Sequence, residues 1–120
     1  MVRILSKKIK TKRPKIGVAF SGGSALGICH LGAVKALSEH RVIIDCVSGT
    51  SAGSIVAVGV AFGVPLKKMV EICKQLSWSN LSEFGYSKMG INSNRPVGEI
   101  IRDMVGNANI EDAYIPLAIV

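Results

Sequence analysis

Apolar positions along the chain fall into two patterns, short unbroken runs and runs at helical spacing. Ile16-Gly17-Val18-Ala19-Phe20 is a short apolar run closed by Ser21-Gly22-Gly23, the pattern of a buried strand entering a tight turn. After Gly27, residues Ile28, Leu31, Val34 and Leu37 recur at helical spacing, with Lys35, Glu39 and His40 on the other side. That predicts an amphipathic helix of about three turns. Val42 to Val47 is rich in β-branched residues and reads as a second buried strand. Ser54 to Phe62 is small and apolar on every side, which predicts a helix buried all round. Gly63 stops it, and Pro65 opens another helix through Leu76, with Leu66, Met69 and Ile72 as its core positions. Residues 77–93 are polar and predict loop, with Trp78, Phe84 and Tyr86 read as partly buried anchors or as the edge of a ligand groove. Arg95-Pro96 opens a last helix to Val105 through Val97, Ile100, Ile101 and Met104, and Ile115 to Val120 reads as a strand.

Strands alternating with helices, the strands apolar throughout, define the fold class: α/β, a parallel sheet with helices on both faces. About three strands are legible where a doubly wound domain has five or more, so the expectation is the first part of a larger, truncated domain. Composition agrees with a packed core. Of 120 residues 48% are hydrophobic, which excludes disorder, and 13 Gly with 4 Pro exclude a coiled coil. Cys29, Cys46 and Cys73 are odd in number and far apart, the usage of reduced, buried cysteines in a cytosolic protein. Two histidines and no CxxC pair leave no zinc pattern, and no metal or cofactor is expected.

The net charge of +7 has a local origin. Arg3, Lys7, Lys8, Lys10, Lys12, Arg13 and Lys15 precede residue 16, and the rest of the chain is balanced. Residues 1–14 therefore read as a basic flexible arm, and residues 15–120 as the folded part. The arm is either a solubilising tail or a peripheral contact with an anionic membrane through residues 3–15; nucleic acid is not expected as a partner. No apolar segment follows the charges, so the arm is not a secretory signal. The longest apolar run, Ile55 to Val64, is too short to span a bilayer, and the expectation is a soluble cytoplasmic protein.

Two glycine turns carry the chemistry. Ser21-Gly22-Gly23-Ser24-Ala25-Leu26-Gly27 joins the first strand to the first helix. Small residues let the backbone approach a ligand, and the N–H groups that open the helix point outward as anion donors. A phosphate-binding P-loop would need Lys-Ser/Thr after Gly27, and Ile28-Cys29 stand there. A dinucleotide fingerprint needs Gly at Ser24 and an acid closing the second strand, and neither is present. An oxyanion hole needs only free amides; a plain strand-to-helix turn is the alternative. The second turn, Gly49-Thr50-Ser51-Ala52-Gly53, is a G-x-S-x-G where a strand ends and a helix begins, as a nucleophile elbow requires. Ser51 is then a nucleophile or an N-cap. A cap does not require both glycines, which favours the nucleophile.

Together the two turns resemble the patatin-like phospholipases: Gly-Gly-Ser-Ala-Leu-Gly-Ile-Cys-His-Leu-Gly, then Gly-Thr-Ser-Ala-Gly-Ser in order. The resemblance runs from about Lys15 to Val120. It implies an α/β fold in which a Ser–Asp dyad hydrolyses lipid acyl esters. Ser51 matches the nucleophile, Gly49 and Gly53 the elbow, and Gly22 and Gly23 the oxyanion turn, with Ser24 and the Ala52 amide completing the hole. Ser24 replaces the family's third glycine and Leu26 its basic residue. The family's base is the Asp of an Asp-Gly pair. Asp45, Asp103 and Asp112 are followed by Cys, Met and Ala, so the base is expected beyond this chain, and the 120 residues alone are expected to be inactive. His30 reads as a packed or capping residue rather than a base. Rival readings are an acyltransferase with the same elbow and a non-catalytic lipid- or nucleotide-binding module.

Overall fold

The computed structural model describes residues 13–23, 27–75 and 95–120. Strands β1 (Gly17–Phe20), β2 (Cys46–Gly49) and β3 (Leu117–Ile119) form one sheet in the order β1-β2-β3. Both pairings are parallel, with Gly17 opposite Cys46, Phe20 opposite Gly49, and Gly49 opposite Ile119. Backbone bonds extend the ladder past both ends of β2. Asp45 N–H donates to Ile16 O at 2.8 Å, and Thr50 N–H donates to Phe20 O at 3.0 Å. This register brings the turns that follow β1 and β2 out of the same sheet edge.

Helix α2 (Ala52–Ala61) lies on the sheet, and α1 (Ile28–Glu39), α3 (Leu66–Gln75) and α4 (Arg95–Val105) gather around it. The sequence explains the central place of α2. Gly53, Ser54, Val56, Ala57, Val58, Gly59 and Ala61 are all buried, so the helix offers no polar face to water. Side chains from the sheet (Phe20, Val47), from α1 (Leu31) and from α3 (Met69) meet Val56, Ala57 and Ala61 in one cluster; Ile100 and Met104 of α4 meet Val58 in a second. Burying a side chain of this size contributes roughly 1.5–3 kcal/mol. Gly59 sets the spacing, since a methyl group there would lie 2.5 Å from Met69 Cε and 2.9 Å from Met104 Cε.

The expected strand over Val42–Val47 is shifted. Pairing begins at Cys46, and Val42 to Asp45 form the connection from α1. The cause lies in the end of α1. Arg41 takes φ 55°, and the N–H groups of Val42 and Arg41 donate to Leu37 O and Ser38 O. That reversal consumes the first β-branched residues before they reach a partner strand. The expected Ser54–Phe62 helix begins two residues early, at Ala52. The last strand is confined to Leu117–Ile119, preceded by a short 3-10 turn at Ile110–Asp112. Helix α4 spans the expected residues; Trp78, Phe84, Tyr86 and the loop around them lie outside the described residues. Val18, Phe20 and Val47 face the helices, whereas Gly17, Ala19, Cys46, Ser48 and Ala118 line the other face of the sheet. Cys46, like Cys29 on α1, is therefore exposed where burial was expected, and Cys73 is half-buried. Any helix layer on that second face lies outside the described residues.

Candidate active site

The site grows from the shared edge where β1 and β2 end. Ser51 follows β2 by two residues and holds φ 52° and ψ −127°, a conformation that an L-residue takes only under constraint. Such strain costs about 1–3 kcal/mol and persists only where the surroundings enforce it. They do so through glycine contacts. A methyl group on Gly49 would lie 2.6 Å from Gly53 O and from Ser54 Cα. One on Gly53 would strike the carbonyl of Phe20 and come within 2.5 Å of Ser21 O. The chain therefore turns from strand to helix at a single residue, locked by Gly53 N–H donating to Thr50 O at 3.0 Å and Ser54 N–H to Ser51 O at 2.9 Å.

Ser51 is exposed and makes no side-chain capping bond to α2. Its backbone also departs from the extended conformation that a capping serine takes. The observed geometry is a tight strand-to-helix turn with Ser51 exposed at the head of α2.

Facing it is the first glycine turn. A methyl group on Gly22 would lie 3.2 Å from Ser51 Cβ and 3.8 Å from Ser51 Oγ, and one on Gly27 would lie 2.8 Å from Ala52 Cβ. The N-termini of α1 and α2 thus converge beside Ser51. Neither has an acidic residue in its first turn, so their positive dipole ends are uncompensated there. Among the described residues, none accepts a hydrogen bond from the backbone N–H of Gly22, Gly23 or Ala52. Gly22 and Gly23 are exposed, and Gly23 has φ 152°. The structure thus brings Gly22, Ser51 and Ala52 together, with Gly49 and Gly53 beneath them. Ser24 and Leu26 lie outside the described residues.

No described carboxylate accompanies the serine. Asp45 stands before β2, at the opposite end from Ser51, with the run from Asp45 to Gly49, about 13 Å of strand, between them. Its Oδ1 and Oδ2 accept hydrogen bonds from Arg13 at 2.7 and 2.8 Å, and Oδ2 also accepts from Ile16 N–H at 2.8 Å. Arg13, then the Ile16 amide, holds its pKa down at about 2. Asp112 accepts from Asn109 N–H at 2.8 Å, and Asp103 is exposed on α4. No group of residues able to hold a metal ion occurs among the described residues. Among the described residues a concavity of about 340 Å³ lies on the face of the sheet away from the helices and another of about 440 Å³ lies between α1 and α3, and Ser51 lines neither.

His30 enters the site by a route that sequence reading did not supply. Its Nε2 lies 2.8 Å from Ser21 O, and its ring packs edge-on against Phe20 with centroids 5.4 Å apart. A carbonyl oxygen can only accept, so the ring donates.

A parallel sheet with a serine elbow and a facing glycine turn at its C-terminal edge is the architecture of α/β acyl hydrolases. The sequence matches the family described as Patatin-like phospholipase over residues 18–120, and the chain belongs to that family. Among curated proteins it is similar to lysophospholipase NTE1 of Cryptococcus neoformans, 32% identical over 108 residues, covering 85% of this chain and 7% of that protein. Lysophospholipase NTE1 of Eremothecium gossypii is 32% identical over 106 residues, covering 83% of this chain and 7% of its own. Neuropathy target esterase sws of Drosophila persimilis is 30% identical over 109 residues, covering 84% and 8%. The chain spans less than a tenth of the length of these relatives.

Proposed function

We propose that this chain carries the nucleophile and oxyanion half of a serine lipid acyl hydrolase acting on ester-linked acyl chains. The observation that carries the reading is the constrained backbone of Ser51, φ 52° and ψ −127°, with no capping bond from its hydroxyl to α2 and Gly22 opposite. Ser51 Oγ attacks the acyl carbonyl carbon and its proton passes to a base. The carbonyl oxygen becomes an oxyanion, received by the amides of Gly22, Gly23, Ser24 and Ala52 near two helix N-termini. The ester C–O bond then breaks, the protonated alcohol leaves, and water releases the acid from the acyl-enzyme.

The base is an Asp outside these 120 residues. Support comes from the described aspartates, of which Asp45 is committed to Arg13 and Asp112 to Asn109. The names of the relatives, lysophospholipases and esterases, support a lipid ester as substrate. The basic arm, residues 3–15, fits an anionic membrane surface, where such substrates reside. No described helix is long and apolar enough to cross a membrane; peripheral contact from the cytoplasm is the placement proposed.

Lysophospholipid hydrolysis by the protein expressed in its full native reading frame tests this reading. Turnover should vanish in Ser51→Ala; turnover that survives it would remove Ser51 from the reaction.

A further inference from the structure

We propose that His30 is a positioning residue for the oxyanion turn, acting through the Ser21 carbonyl; the inference rests on the hydrolase reading above. The Ser21–Gly22 peptide is trans, and a planar trans peptide holds its C=O and N–H antiparallel. Whatever fixes the Ser21 carbonyl therefore fixes the direction of the Gly22 N–H, one of the amides assigned to the oxyanion. Two contacts fix that carbonyl. His30 Nε2 donates to it at 2.8 Å, and Gly53, which has room for no methyl group there, backs against the same oxygen.

His30 is itself held on α1, with Phe20, a buried core residue, against its ring edge. The chain of support runs from the core through Phe20 and His30 to the Ser21 carbonyl, and so to the amide of Gly22, the residue beside Ser51. Glycines alone cannot supply this orientation. Gly22 and Gly23 rotate freely, and an amide preorganised toward the developing charge is what makes an oxyanion hole effective. His30 Nε2 takes no proton from Ser51 in this arrangement, because its hydrogen already points at Ser21 O.

Two variants separate donor from ring. His30→Phe keeps an aromatic edge against Phe20 and removes the donor; His30→Gln keeps an N–H donor of similar reach and removes the ring. Ester hydrolysis should be measured on the protein in its full reading frame, per active site titrated with a fluorophosphonate. The expectation is a kcat lower by about ten- to hundredfold in His30→Phe, with KM within about twofold, and kcat within about threefold of wild type in His30→Gln. A His30→Gln enzyme slower than His30→Phe would assign the histidine to packing and overturn the inference. Full kcat in His30→Phe would overturn it equally. Should His30→Phe fail to fold, the kcat of His30→Gln decides alone. A Ser51→Ala protein that still turns over would overturn the hydrolase reading and this inference together. An inactive Ser51→Ala beside an unimpaired His30→Phe would remove this inference only.

Discussion

Gly22 and Ser51 face each other so closely that a methyl group on the glycine would lie 3.2 Å from the serine Cβ. The contact joins the turn after β1 to the turn after β2, and both exist at one edge because β1 and β2 run parallel in register.

That contact separates two glycines by consequence. In Gly22→Ala the one tight contact of the new methyl is with the Ser51 side chain, the Thr50 carbonyl lying at an ordinary 3.6 Å, so the fold should survive while Ser51 is crowded. The expected result is an unchanged melting temperature with kcat/KM lower by about tenfold or more. In Gly53→Ala the methyl meets the backbone of Phe20 and Ser21, which cannot yield, and a loss of roughly 3 kcal/mol or more is expected. Thermal melts with activity assays check both, and an unfolded Gly22→Ala would show that the turn is structural first.

Asp45 gives a pH prediction with a definite sign. Its carboxyl is held at about 2 in the folded protein, below the 3.8 of an unperturbed aspartate, first by the Arg13 hydrogen bonds and then by the Ile16 amide. A group depressed on folding stabilises the native state above its unfolded pKa and loses that contribution as pH falls toward the folded value. The advantage of wild type over Asp45→Asn should thus be constant above about pH 5 and shrink between about pH 4 and pH 2. The pair is partly exposed, so the advantage should also shrink in about 1 M salt. Melting curves across that range check it; a difference that grew on acidification would have the wrong sign.

Much of this was legible in the sequence, for reasons that individual residues make plain. Helix α4 was readable because Ile100, Ile101 and Met104 must share one face to reach Val58. The tight turn between β2 and α2 was readable because close backbone approach leaves a glycine signature at Gly49 and Gly53. The start of β2 was not. Val42 and Ile43 have strand-forming side chains, but pairing is decided by where β1 begins, and Ile43 is 59% exposed on the connection. The bond from His30 to Ser21 was illegible too. It joins a helix to the turn preceding it across nine residues, and no periodicity records such a contact.

Charge in the arm makes a surface prediction. Arg13 is engaged by Asp45, so a deletion of residues 1–12 removes the other basic residues before Lys15 and spares that bridge. Wild type should sediment with anionic vesicles in preference to neutral ones, and lose that binding as salt rises past about 0.15 M. The truncated protein should not distinguish the two. Equal sedimentation with and without the arm would make it a solubilising tail.

Covalent trapping identifies the nucleophile, proposed above as Ser51, without relying on turnover. The protein in its full native reading frame is treated with a fluorophosphonate, digested, and the adduct located by peptide mass. The account predicts one phosphonylated site, on the Ser51 hydroxyl, with hydrolysis lost in proportion to labelling and no adduct in Ser51→Ala. An adduct on another residue that tracks the loss of activity, or labelling undiminished in Ser51→Ala, would contradict it.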